Sequence, residues 1–208
     1  VTVVVKQGDK VLVEVPATVR VVESYPQFVP VDKDKKQPAV EGSIDPKAFP
    51  KDTEFTYETP VDTTRPGEKD VTVVAKIGDE VIAKVPAKVM VVEPKTQYVV
   101  ADPSKPQPDA SKSIDPEQYP DGVTFKYKTP VDTTTPGEKD VVVVAKDGDD
   151  TLVEVPTKVK VVQGYPQIVP VDEGKKQPSP EDSIDSNDYP DDATFEYKEE
   201  VDTSTPGD

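Results

Sequence analysis

The chain has 208 residues, a formal net charge of −16 and no Cys, His or Trp. Disulfides, thiolate metal sites and thiol nucleophiles are therefore excluded, and the acidic balance argues against nucleic acid or an anionic membrane as a partner, because phosphates would be repelled. No run of about 18 apolar residues is present, so no stretch reads as a membrane-spanning helix.

One stretch recurs and sets the organisation. Val-Asp-Thr-Thr-x-Pro-Gly-Glu-Lys-Asp begins at Val61 and again at Val131, and Val201 opens a third copy that runs to Asp208; the spacing is 70 residues each time. Tandem self-similarity at a fixed period marks an array of small units. A unit of this size buries only ~60% of its unfolded surface, so each core is small.

Taken in order, Val1–Lys6 reads as a strand, with counterparts Val71–Lys76 and Val141–Lys146. Gly8-Asp9, Gly78-Asp79 and Gly148-Asp149 follow as two-residue hairpin loops, where Gly and Asp tolerate positive φ. The return strand is long. Val11, Val13, Val15, Ala17, Val19 and Val21 alternate with residues such as Glu14, Thr18 and Arg20. This period of two predicts one buried and one wet face. Pro16, Pro86 and Pro156 interrupt the outward face. Because Pro donates no hydrogen bond, the strand is expected to lie at an edge there, or to bulge and change partner.

After Val22 a Pro-bearing entry leads to Phe28, Tyr98 or Ile168, read as a short strand. A polar loop follows. Asp45-Pro46 then predicts a helical turn, with Asp as N-cap and Pro at the first helical position. Ile44 and Phe49, with Ile114 and Tyr119, and Ile184 and Tyr189, are expected to plug the core. Thr53–Glu58 reads as a strand with Phe55 and Tyr57 on one face; core packing explains this aromatic pair better than an exposed binding stripe. Pro66-Gly67 suits a type II turn. Pro is frequent at 24 residues, but the alternating valines point to ordered β-structure over a disordered tail.

Two frames fit the period. Cutting after Val22, Val92 and Val162 is preferred, because Pro-Gly-Glu-Lys-Asp is as short as a hairpin loop and joins two strand patterns. In this frame residues 1–22 are the closing hairpin of a partial repeat, 23–92 and 93–162 are complete repeats, and 163–208 is the first part of another. A lone valine hairpin is marginal in water. Head-to-tail pairing of residues 1–22 with residues 163–208 of another molecule is therefore expected, unless the ends belong to a longer array.

Residues 129–162 (TPVDTTTPGEKDVVVVAKDGDDTLVEVPTKVKVV), with EDSID at 181–185, resemble the Rib/alpha-like repeat of Gram-positive cell-surface proteins. The resemblance extends copy after copy. It implies an immunoglobulin-like β-sandwich with a reduced number of strands, in an extracellular stalk anchored to the cell wall, and it brings no catalytic residues.

Site chemistry is sparse. With neither His nor Cys, the common general base and the thiol nucleophile are missing. Ser43, Ser113 and Ser183 recur, but beside the Asp caps, where helix-start chemistry accounts for them. A Lys–Asn isopeptide bond needs an Asn in each unit, and the only Asn is Asn187; a Lys–Asp bond through Lys76 or Lys105 is a remote alternative. Asp32, Asp34, Asp149 and Asp150 could offer oxygen ligands to calcium, yet Asp34 becomes Ser104 and Gly174 in the other copies. The expected inventory is no catalytic residue, no cofactor and no metal site.

The reading is an all-β array of immunoglobulin-like sandwiches with one short helical turn each. Strands of 8–11 residues would give units of roughly 30–40 Å at ~3.3 Å per residue. The expected function is non-catalytic: a semi-rigid spacer projecting an adhesive tip, with neighbouring repeats as its partners. The alternative is that the repeats themselves bind a host glycoprotein or matrix protein multivalently.

Overall fold

The structure is a computed structural model that describes residues 1–102, 104, 107–172, 174 and 176–207. Lys105, weighed above for an isopeptide bond, lies outside the described residues, as does Asp208. Strands are β1 (Thr2–Gln7), β2 (Lys10–Pro16), β3 (Gln27–Pro30), β4 (Glu54–Tyr57), β5 (Gly67–Ile77), β6 (Glu80–Val92), β7 (Gln97–Val100), β8 (Thr124–Tyr127), β9 (Gly137–Asp147) and β10 (Asp150–Val162). The only helical elements among the described residues are short 3-10 turns. The fold is all-β and immunoglobulin-like, as the resemblance implied.

The chain divides into two compact units. The first comprises Val1–Phe28 and Asp32–Val91. Its four-stranded sheet runs β3-β6-β5-β4. Val71, Val73, Ala75, Val85, Ala87, Val89 and Val91 are all buried, the alternation expected when one face of a strand pair is covered. Ile44 and Phe49 close the other side, with the Phe49 ring edge-on to Phe55 at 5.0 Å. Asp45 caps the turn Pro46–Ala48 by accepting from Lys47 N, as the Asp-Pro pair predicted. A further 3-10 turn, Val40–Gly42, precedes it.

The β1–β2 hairpin forms its own two-stranded sheet in the first unit. It has no aromatic strand beside it, and Val3, Val5, Val13 and Val15 are exposed.

The second unit comprises Val29–Val31 and Val92–Asp208. Its sheet repeats the order, β7-β10-β9-β8. β9 and β10 form a long antiparallel hairpin, β8 flanks β9 antiparallel, and β7 lies parallel to the end of β10, with Gln97 opposite Val159 and Val100 opposite Val162. Val131, Val141, Val159 and Val161 form a core against which Val99, Ala101 and Tyr127 pack. Opposite the sheet lie the isolated bridge between Pro94 and Ile114 and the turns Ala110–Ser113 and Pro116–Gln118. In the third copy, the described residues of 163–207 carry turns but no strand.

Three expectations change in detail. The proline positions do not bulge: Pro86 pairs with Thr72 and Pro156 with Val142 in register. The register shifts instead near the hairpin tip, between Ala75 and Lys76 and between Thr151 and Val153. β10 meets β7 only from Val159 onward, so Pro156 sits where one side of the strand is open, the place for a residue without an N–H. Finally, Gly-Glu-Lys-Asp is not loop. Gly67 begins β5 opposite Val91, and its φ of 111° lies where L-residues with a Cβ are strained. The connection from β4 is the arch 58–66 instead of a tight turn.

Candidate functional site

The recurring polar residues converge on three small clusters per copy. In the first, Ser43 is fully buried, with its Oγ 3.1 Å from Gln27 Oε1 and 3.1 Å from Tyr57 OH. Tyr57 OH donates to the same Gln27 oxygen at 2.9 Å. The second copy repeats this with Gln97, Ser113 and Tyr127: Tyr127 OH donates to Gln97 Oε1 at 2.7 Å. In the third, Tyr197 OH donates to Gln167 Oε1 at 2.9 Å. Ser43 and Ser113, read above as helix-start residues, are therefore the buried members of a triad, and Ser183 is a half-buried counterpart 3.5 Å from Tyr197 OH. Gln27, Gln97 and Gln167 were missed, although their recurrence at one spacing was available in the sequence.

A Ser beside a Tyr invites the question of nucleophilic chemistry. Burial raises the Tyr57 and Tyr127 hydroxyls above their ordinary value, despite the opposing bond from Ser43 or Ser113. Each Tyr is thus held more firmly as a neutral donor, and Gln cannot accept a proton at neutral pH. A nucleophile here would have no base. The cluster ties together the short first strand, the aromatic strand and the serine turn of the first and second copies.

The second cluster is an amide clasp. Gln37 Nε2 donates to Val61 O at 3.0 Å, and Val61 N donates back to Gln37 Oε1 at 2.7 Å. The side-chain amide thus imitates a backbone strand partner for Val61. Gln177 makes the same two bonds with Val201, at 2.9 and 2.8 Å, and Gln107 clasps Val131 likewise. Val61 is buried, so its backbone groups need partners. Replacing Gln37 with Ala is expected to destabilise the first copy by about 1–2 kcal/mol, moderated because water reaches the exposed Gln side. Chemical denaturation reads this out, and a loss below about 0.3 kcal/mol would show that water replaces the clasp.

The third cluster is the Val-Asp-Thr-Thr arch. Asp62 Oδ1 accepts from Thr64 N at 3.0 Å and from Thr64 Oγ1 at 2.6 Å. Asp132 accepts from Thr134 in the same way and adds Thr135 Oγ1 and Lys139 Nζ. Behind the arch, Thr63 O accepts from Asp32 N at 2.9 Å, and Thr133 O from Asp102 N at 3.1 Å. Asp32 Oδ1 in turn accepts from Asp34 N at 2.8 Å, so the Asp32 carboxylate serves loop geometry. Among the described residues no group of three or more Asp or Glu is placed to hold a metal.

These bonds fix a pH dependence. The Thr135 and Thr134 hydroxyls hold Asp132 well below the usual carboxylate range. Thr64 lowers Asp62, and the backbone N–H of Ser111 lowers Asp109. A folded pKa below the unfolded one means that the unfolded chain binds more protons in acid. The contribution is present above the ordinary value of 3.8 and is lost as pH falls through and below it. The melting temperature should drop below about pH 4, and Asp132→Asn should make the second copy less acid-sensitive. Equal acid slopes in the two proteins would contradict this reading.

Two further contacts join one copy to the next. Arg20 Nη1 donates to Ala48 O at 3.0 Å. In the second unit, Lys160 and Asp188 hold the equivalent positions, 140 residues on, and pair at 3.2 Å. Beside that pair the Tyr98 and Tyr189 rings stack at 5.5 Å, only 10° from parallel.

Fold and clusters together define a tandem array of immunoglobulin-like all-β repeats whose polar clusters serve architecture. The Rib domain family model matches residues 25–93, 92–163 and 164–208, and the chain belongs to this family. The array is thus part of a tandem-repeat surface protein of the Gram-positive type. A solved Rib domain from Streptococcus pyogenes is 33% identical over 34% of this chain and 89% of its own, with a TM-score of 0.30. The EC1-2 segment of human mucin-like protocadherin is 10% identical over 70% of this chain and 100% of its own, with a TM-score of 0.22. No curated protein matches the chain.

Proposed function

We propose that the chain is a non-catalytic stalk: a semi-rigid spacer, anchored to the cell wall, that projects an adhesive tip. Repeats bounded at 23–92 and 93–162, with partial repeats at 1–22 and 163–208, are its modules. The observation that carries this reading is the repeated contact between successive copies. Position 20 reaches position 48 of the copy that follows, and position 160 reaches position 188, with the Tyr98–Tyr189 stack beside it. Contacts at one spacing across these two junctions limit bending there, and reach then grows with copy number. The acidic surface keeps neighbouring stalks apart.

Small-angle scattering on proteins of two, three and four copies tests this. The maximum dimension should grow by roughly 30–40 Å per copy, and a compact particle of constant dimension would overturn the spacer. Saturable binding of a two-copy protein to mucin or a matrix protein would favour the multivalent reading instead.

Head-to-tail association belongs to the same proposal. The exposed hairpin valines Val3, Val5, Val13 and Val15 match the buried core positions of the other copies. Glu14 and Lys198 occupy the places of Glu154 and Lys128, which pair at 2.7 Å. Pairing between molecules would therefore join opposite charges. Sedimentation should show association that grows with concentration, and a monomer at high concentration would remove this part of the proposal.

A further inference from the structure

Four of the surface ion pairs of the first and second copies lie at equivalent places, and these fall into two classes. Glu68–Lys88 and Glu138–Lys158 sit at equivalent places with the same signs. The other class is reversed. In the first copy Lys84 pairs with Glu58. In the second, Lys128 pairs with Glu154 at 2.7 Å. Positions 58 and 128 are equivalent, as are 84 and 154, so both members changed sign together and the pair survived.

Both pairs link the end of a short edge strand to the return strand of its hairpin. The side chains are about half exposed, and pairs of this kind add little to native stability. The reversal has a clearer consequence for partner choice. The edge strands β4 and β8 are four residues long. Phe55 lies opposite Ala75 and Tyr57 opposite Val73; Phe125 lies opposite Ala145 and Tyr127 opposite Val143. The apolar contacts of each edge strand therefore suit the other copy's hairpin as well as its own.

In the unfolded array the wrong hairpin is tethered nearby at high effective concentration, and strand exchange is a characteristic failure of repeat proteins. Exchange would set Glu58 against Glu154 and Lys128 against Lys84. Lys126, one residue before Tyr127, would add positive charge beside Lys84.

We propose that the reversed pairs Glu58–Lys84 and Lys128–Glu154 select partners during folding between the first and second copies, directing β4 and β8 each to its own hairpin and away from the other's. Positions 58 and 84, and 128 and 154, meet across the strand between them, and like charges brought together there repel, so each pair contributes most by what it forbids. This proposal is independent of whether the array acts as spacer or adhesin.

The test uses the full 208-residue chain in repeated single-molecule unfolding and refolding. An exchanged pair of copies unfolds in one step of about twice the length of a single copy. E58K/K84E gives the first copy the signs of the second while keeping its native pair; K128E/E154K does the converse. In either double variant exchange brings opposite charges together, so the exchanged fraction should rise by roughly three- to tenfold with the melting temperature unchanged. E58K/K84E/K128E/E154K reverses both copies and restores the conflict, so the fraction should return to the original level. Salt at about 1 M, where the Debye length is about 3 Å, should raise the original chain toward the double variants. Double variants that exchange no more than the original chain would overturn the proposal, as would a quadruple variant that stays at their level.

Discussion

Replacing Ile114 with Ala is expected to cost the second copy about 2–5 kcal/mol, the range for emptying a buried Ile site. Ile114 is 1% exposed and ends the turn Ala110–Ser113 as its C-cap. Its backbone bridges to Pro94, which leaves little freedom for collapse around a cavity. A unit of this size has a total stability of only about 4–10 kcal/mol at ~0.05–0.15 kcal/mol per residue, so the loss is a large share. Because repeats contribute largely separate stabilities, calorimetry should show two transitions, with the second copy melting first. A single transition displaced by less than about 1 kcal/mol would show that the site repacks.

Gln97→Ala is the next largest expected effect, about 2–4 kcal/mol, from lost hydrogen bonds and a cavity acting together. Gln97 is 9% exposed, and its Oε1 accepts from both Ser113 Oγ at 3.2 Å and Tyr127 OH at 2.7 Å. Without it the two hydroxyls have each other, 2.6 Å apart, and one O–H is left without an acceptor. Tyr127→Phe removes a hydroxyl but keeps the Ser113–Gln97 bond, and should cost less, about 1–2 kcal/mol. If the two variants proved equally mild under chemical denaturation, water would be satisfying the triad.

The elements legible in the sequence were those whose cause is local. Alternating valines gave the hairpin faces, Gly8, Gly78 and Gly148 the tight loops, and Asp45-Pro46 the capped turn. Phe49 was placed correctly in the core, and Phe55 packs half-buried against its ring, because an aromatic at that spacing has few other destinations. What was not legible depends on distant pairing. Gln27 and Gln37 look like solvated loop residues until the fold brings Ser43, Tyr57 and Val61 beside them. The length of β5 was underestimated because Glu68, Lys69 and Asp70 resemble a charged loop; they are held as strand only through their partners Met90, Val89 and Lys88. The charge reversal between positions 58 and 128 was visible, but it meant nothing until positions 84 and 154 were found across from them.

The parallel ladder of β7 against the end of β10 also sets how a copy bears tension. β7 opens the second copy and β10 closes it, and Gln97 to Val100 run alongside Val159 to Val162 in the same direction. A pull on the two ends of the copy draws these neighbours past each other lengthwise. Their hydrogen bonds are then strained all at once in shear, instead of parting one by one as in an opening zipper. The ladder placed here takes such a load first, and the long β9–β10 hairpin behind it is loaded once that clamp gives way.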